Sequence, residues 1–98
     1  MQRKVAPKKV YTFPATSGHA VVTIGRSSSN KISIDEDRKL SREHAKIETF
    51  DGKTYTYVDL GSSRGSKINK IPVTKKVLEN RDVIKIGSTQ IKFKINSA

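Results

Sequence analysis

Apolar and polar positions alternate with a period of two along most of this chain. Between Gln90 and Ile95, the apolar Ile91, Phe93 and Ile95 alternate with Lys92 and Lys94, which puts the apolar residues on one strand face and the lysines on the other. Ala45 and Ile47 alternate with Lys46 and Glu48 in the same way. Val10 to Phe13, Ala20 to Ile24, Thr54 to Val58 and Val83 to Ile86 are rich in β-branched and aromatic residues, which suit a pleated, half-buried surface. Turn chemistry falls between these runs: Ser17-Gly18, Asp51-Gly52 as a strong hairpin signal, Asn80 to Asp82, and Gly87-Ser88. No stretch carries apolar residues at the i, i+3, i+4, i+7 spacing of an amphipathic helix. Short, closely spaced strands predict an all-β sandwich or barrel.

Three polar stretches interrupt the pattern. Residues 25–31 (Gly-Arg-Ser-Ser-Ser-Asn-Lys) directly follow a strand, Asp35 to Glu43 has only Leu40 as an apolar residue, and Gly61 to Lys67 is rich in Gly and Ser. All three are expected to be loops, and loops on a rigid sheet scaffold are where binding residues concentrate.

The bulk properties narrow the function classes. A length of 98 residues suits one domain. The absence of cysteine removes disulfides, thiolate zinc sites and a cysteine nucleophile. No apolar run approaches the roughly 20 residues of a membrane span, and Met1 to Lys9 lacks the hydrophobic stretch of a secretory signal. A soluble intracellular domain is therefore expected, with no membrane association. Twenty Lys and Arg against nine Asp and Glu leave a formal charge of +11. That excess favours anionic partners, although the basic residues are scattered rather than gathered into one block.

Catalytic constellations are weak. His19 and His44 are the only histidines, which leaves no multi-histidine metal site, and no metal or cofactor is expected. Ser41 near His44 lacks the context of a nucleophile elbow. The run Gly61-Ser-Ser-Arg-Gly65 lacks the Gly-Lys-Ser/Thr ending of a P-loop, and no helix is expected after it. What remains is an anion site of hydroxyls, an arginine and loop amides. Arg26 follows a glycine at a strand end, where a guanidinium fork matches phosphate geometry, and Ser41, Ser62, Ser63 and Ser66 supply short donors.

The motifs also come in a telling order: Gly25-Arg26, then Ser41-Arg42-Glu43-His44, then Asp59 to Ser66, then Asn69, then Asp82 to Gly87. This order resembles the forkhead-associated (FHA) family of phosphothreonine-binding modules. Its pattern is Gly-Arg, Ser-x-x-His, Asp-x-x-Ser-x-Asn-Gly-Thr-x-x-Asn-Gly, a later Gly-Asp and a closing Gly. The resemblance runs from about Val10 to Ile95. It implies a β-sandwich of two antiparallel sheets with binding loops at one end, spanning residues 10–96 behind a basic extension at residues 1–9.

By that resemblance, Arg26, Ser41, Arg42 and Ser63 contact the phosphate, and Arg64 and Lys67 contact the peptide or set specificity. Gly25, His44, Ser62, Gly65 and Asn69 act as loop scaffold. The implied function is non-catalytic, phosphothreonine-dependent recruitment of a partner protein, with acidic residues favoured beside the phosphothreonine. The isolated domain is expected to be a monomer, inside the cell and nuclear rather than cytoplasmic by family habit.

Three positions depart from the pattern. Arg64 stands where the family usually has an Asn that clamps the peptide backbone, and a guanidinium has donors only. Lys70 and Arg81 each replace a common Gly, at turns expected to lie away from the pocket. Two alternatives stay open: an FHA-like domain that binds protein without phosphate, and charge-driven, weak or non-specific nucleic-acid binding. Tyr11, Tyr55 and Tyr57 fall in expected strands, where core packing is favoured over the base-stacking platform that the second alternative needs.

Overall fold

The computed structural model describes residues 8–14 and 18–96 and builds them into two packed five-stranded sheets. One sheet has the order β1 (Lys8–Pro14), β10 (Thr89–Asn96), β9 (Val83–Ile86), β6 (Ser66–Ile68), β7 (Ile71–Val73). The other has the order β3 (Ile32–Ser33), β2 (Ala20–Gly25), β4 (Ala45–Thr49), β5 (Tyr55–Asp59), β8 (Lys75–Val77). The all-β sandwich expected from the sequence is the observed architecture. Most pairs are antiparallel, but β1 runs parallel to β10 and β3 runs parallel to β2, so each sheet has one parallel edge.

The alternating runs become strands because their apolar faces meet in one core. Ile24, Ala45, Ile47, Tyr55, Tyr57, Ile84, Ile86, Ile91 and Phe93 are all buried in it. Each large apolar side chain so removed from water contributes about 1.5–3 kcal/mol. Tyr55 and Phe93 meet edge to face across the two sheets, with ring centroids 5.6 Å apart. Tyr55 and Tyr57 are core residues, as their strand positions predict; the side chain of Tyr11 lies outside the described residues.

Periodicity missed four short strands: β3, β6, β7 and β8. The Gly61 to Lys67 loop is shorter than expected, because Ser66 and Lys67 already belong to β6. Ser66 points inward as a buried hydroxyl, a polarity that breaks the apolar alternation by which strands are read. Pro72 sits in β7, an edge strand where a missing N–H costs nothing. Strand β1 starts at Lys8, inside the segment read as a basic extension; residues 1–7 of that segment lie outside the described residues.

The register places the three polar stretches at one pole. Ile24 pairs with Ala45, and Ala45 pairs with Asp59, so the end of β2, the start of β4 and the end of β5 lie side by side. The β5–β6 loop leads from there into β6, whose Lys67 pairs with Lys85, so the β9–β10 turn lies at the same pole. The β6–β7 turn lies at the opposite pole.

Candidate functional site

Gly25 and Arg26 close β2 against the segment that enters β4. The Arg26 amide donates to the Ser41 carbonyl at 3.0 Å, and the Ser27 amide donates to the Arg42 carbonyl at 3.2 Å. A Cβ on Gly25 would stand 2.2 Å from the Arg42 carbonyl oxygen, so the approach of the two backbones requires glycine here. Asn30 locks the contact: its buried side-chain amide donates to the carbonyls of Ser27 at 2.9 Å and Arg42 at 2.7 Å.

The Arg26 side chain is exposed, and its Nε donates to the Leu40 carbonyl at 3.3 Å. That single bond orients the guanidinium while leaving its terminal nitrogens available to a ligand. Arg42 and Arg64 are exposed, and neither side chain has a hydrogen bond or ion pair among the described residues.

The third loop is tied to the second through Ser41, whose Oγ accepts the Ser63 amide at 3.3 Å. The structure thus brings Arg26, Ser41 and Ser63 together, with Arg42 and Arg64 next to them in the chain. His44, fully buried, braces the same junction. Its Nδ1 accepts the Ser41 amide at 3.2 Å and its Nε2 meets the Gly65 carbonyl at 2.9 Å, a pair of roles that assigns the proton to Nε2. It is the backbone of Ser41, not its hydroxyl, that faces the ring, so these two residues form no nucleophile–base pair.

Asp59 organises the rest of the loop. Its carboxylate accepts the Ser62 amide at 2.8 Å, the Ser62 hydroxyl at 2.7 Å and the Ser66 hydroxyl. Because the Ser66 proton goes to Asp59, the buried Tyr57 hydroxyl donates to Ser66 Oγ at 2.7 Å. Burial opposes ionisation of Asp59, but the bonds from Ser66 and Ser62 outweigh it and hold the carboxyl below its usual range. Burial pushes the Tyr57 phenol well above its usual range. The Ser62 hydroxyl in turn accepts the Gly65 amide at 3.0 Å, and Gly65 has φ 78, a left-handed geometry that glycine adopts without strain.

Two residues of the predicted set lie elsewhere. Asn69 sits at the opposite pole, in the β6–β7 turn, where its side chain donates to Asp82 at 2.9 Å and accepts the Val83 amide at 3.0 Å. Lys67 faces outward from β6, beside Lys39, Arg64, Lys85 and Gly87. Residue-by-residue reasoning missed Asn30 and Asp37, and quoted Asp59 only as part of a motif. Asp37 accepts the Ser88 amide at 2.8 Å and the Thr89 hydroxyl at 2.7 Å, which pins the second polar loop to the β9–β10 turn. A buried Asp or Asn within a polar loop was the available signal, and only spatial neighbours distinguish it from a solvated one.

Among the described residues no cluster of His, Cys, Asp or Glu could hold a metal ion, and no helix is long and apolar enough to cross a membrane. The arrangement offers three exposed guanidinium groups, exposed hydroxyls and a buried network that fixes them, which suits an anion held from several sides.

The FHA domain family model matches residues 22–87. The glycogen accumulation regulator GarA of Mycobacterium tuberculosis is 34% identical over 76% of this chain, which spans 44% of that relative's length. The oxoglutarate dehydrogenase inhibitor of Corynebacterium jeikeium is 38% identical, covering 94% of this chain and 74% of the relative. A structure solved in an analysis of phosphothreonine-dependent FHA interactions superposes with a TM-score of 0.75 at 29% identity, covering 85% of this chain and 82% of that one. Mycobacterium tuberculosis EmbR, solved with a low-affinity phosphopeptide, gives a TM-score of 0.71 at 31% identity over 81% of this chain and 21% of its own. These sequence relatives are proteins of bacteria, which have no nucleus, and this overturns the expectation of a nuclear protein.

Proposed function

The chain belongs to the FHA family, and from that premise we propose that its three-loop pole binds a phosphothreonine segment of a partner protein without catalysing a reaction on it. The proposed phosphate contacts are Arg26, Ser41, Arg42 and Ser63, held by Gly25, His44, Ser62 and Gly65. Asn69 belongs to the scaffold of the opposite pole. The observation that carries this reading is the junction of Arg26, Ser41 and Ser63, tied by backbone and hydroxyl bonds while the arginine's outer donors stay open. A phosphate there accepts charge-assisted bonds from a fork that is already oriented.

Arg64 replaces an amide that both donates and accepts with a group that only donates. It can reach a peptide carbonyl or an acidic side chain, so acidic residues beside the phosphothreonine are the favoured flanks. The names of the relatives, a regulator and an inhibitor, fit control exerted by binding. Nucleic-acid binding is less well supported: Tyr55 and Tyr57 are buried, and exposed Phe50 stacks on His19 at the pole away from the loops.

Calorimetry with paired phosphorylated and unphosphorylated threonine peptides tests the reading. The phosphorylated form alone should bind, and Arg26→Ala should remove about 2–5 kcal/mol of binding while the domain stays folded. Equal affinity for the two peptides would refute it.

A further inference from the structure

The outer sheet faces carry both paired and unpaired lysines. On the sheet containing β4, Lys46 is paired with Glu48 at 3.2 Å. On the sheet containing β6, β9 and β10, the side chains of exposed Lys67, Lys70 and Lys85 form no hydrogen bond or ion pair among the described residues. Neither do those of Lys39 and Arg64 above them, although the Lys39 charge helps to hold the buried Asp37 carboxyl below its usual range.

These five cations line one continuous channel. At the loop pole a groove runs between Lys39, Arg64, Lys67, Lys85 and Gly87. It meets a second groove along the sheet face lined by Lys67, Asn69, Lys70, Val83, Lys85 and Gln90. The two share Lys67 and Lys85, which are paired across β6 and β9, and no carboxylate lines either. Directly paired residues of this kind stand about 5 Å apart, so one carboxylate can lie between their two ammonium groups.

We propose that this channel takes an acidic stretch of the phosphorylated partner's own chain, leaving the phosphate site past Arg64 and running along the strands toward Lys70. The inference rests on the phosphopeptide reading above, and extends it from the residues beside the phosphothreonine to a second, distal anionic contact. An extended chain advances about 3.3 Å per residue with alternate side chains on one face. Acidic residues at every second position would therefore face first the Lys67–Lys85 pair and then Lys70. Two features favour a peptide over a nucleic acid. The channel is continuous with the loop that carries Ser63 and Arg64, and it has no aromatic ring on which a base could stack.

The test compares a short phosphothreonine peptide with the same peptide extended, on either side, by six residues alternating Glu or alternating Gln, and adds random-sequence duplex DNA. The protein is used as the 98-residue chain and as the double variant Lys70→Gln/Lys85→Gln, two exposed positions outside the phosphate site, with thermal unfolding to check the fold. The Glu extension on one side should tighten binding about five-fold or more at low salt, the Gln extension should not, and the double variant should lose that gain with the short peptide unaffected. If both extensions bind like the short peptide, the proposal is wrong. It is equally wrong if the gain survives in the double variant, or if the variant loses DNA binding but keeps the gain. Loss of all phosphate dependence would remove the underlying reading and this one with it.

Discussion

The two poles of the sandwich are built on the same device, a buried aspartate that collects turn donors, yet they distribute charge in opposite ways. At the loop pole, Asp59 is satisfied by the hydroxyls of Ser62 and Ser66 and by a backbone amide. At the opposite pole, Asp82 takes the Lys76 ammonium at 3.1 Å, the Asn69 amide at 2.9 Å and the Glu79 amide at 2.9 Å. The first network has His44 Nε2 3.8 Å from the Asp59 carboxylate but draws on no arginine or lysine, so Arg26, Arg42 and Arg64 are left for a ligand. The second neutralises its own charge internally. Backbone strain divides the same way. Left-handed residues at the loop pole are all glycine (Gly61, Gly65 and Gly87), whereas the other pole adds Asn69, Lys70 and Arg81, with φ of 52, 72 and 77, to its glycines Gly18 and Gly52. A pole that only closes the fold tolerates left-handed residues that bear side chains as well as glycine; the pole that must present a defined surface uses glycine alone.

The sharpest way to break this comparison is to weaken each aspartate in turn. Asp59→Asn should lower stability by about 1–3 kcal/mol, since one of its donors must then face another donor. It should also weaken phosphopeptide binding by about ten-fold or more, because the loop bearing Ser63 loses its anchor. Asp82→Asn should cost similar stability but leave affinity within about two-fold. Denaturant titration with calorimetry on both variants checks this. Matching losses of affinity would show that the poles are not separable.

Acid should act on both poles at once. The carboxyls of Asp37, Asp59 and Asp82 each sit below the ordinary value of 3.8, because donated hydrogen bonds outweigh the burial that opposes ionisation. A folded-state value below the unfolded one gives stability that is complete above the unfolded value and lost as pH falls through the folded one. The melting temperature should stay nearly flat from about pH 7 to about pH 5 and drop below about pH 4. Melting curves across that range should show a shallower acid limb in Asp59→Asn and in Asp82→Asn.

The smallest effect concerns strain. Asn69 and Lys70 form the two-residue turn between the paired Ile68 and Ile71, with both residues left-handed as in a type I′ hairpin. Lys70→Gly and Arg81→Gly should each raise stability by about 1 kcal/mol, offset in part by the freer unfolded chain, with no change in affinity for a short phosphopeptide that ends before the lysine channel. Thermal unfolding of the two single variants and their combination measures it.

Long strands and exposed motif residues were legible in the sequence because each carries its own signal. Ile91, Phe93 and Ile95 alternate with lysines over a span long enough to read, and Asp51-Gly52 marks the β4–β5 hairpin that the structure contains. Strands β6, β7 and β8 have three residues each, too few for a period to register, and they owe their existence to partners far along the chain. The same holds within the site. Gly25, Arg26 and Ser41 stand out by type and order. The work of Asn30, Asp37 and Asp59 depends on which backbone amides and carbonyls fold against them, and one-dimensional spacing does not contain that information. The positive φ of Lys70 and Arg81 is an intermediate case: both were noted as departures from glycine, and both keep the backbone geometry that glycine would have adopted.

The parallel pairing of β1 with β10 also decides how the domain can be mounted. Lys8 lies opposite Gln90, beside the β9–β10 turn, and Pro14 lies opposite Asn96 at the other end of the sheet. A polypeptide arriving at Lys8 enters next to the binding loops, and one departing after Asn96 leaves from the far side. Tethered through its C-terminal side to a neighbouring module or a sensor surface, the domain presents its loops outward and unobstructed. Tethered through its N-terminal side, it carries the linker within reach of its own ligand site, so the choice of attachment end becomes an experimental variable in every binding measurement made on it.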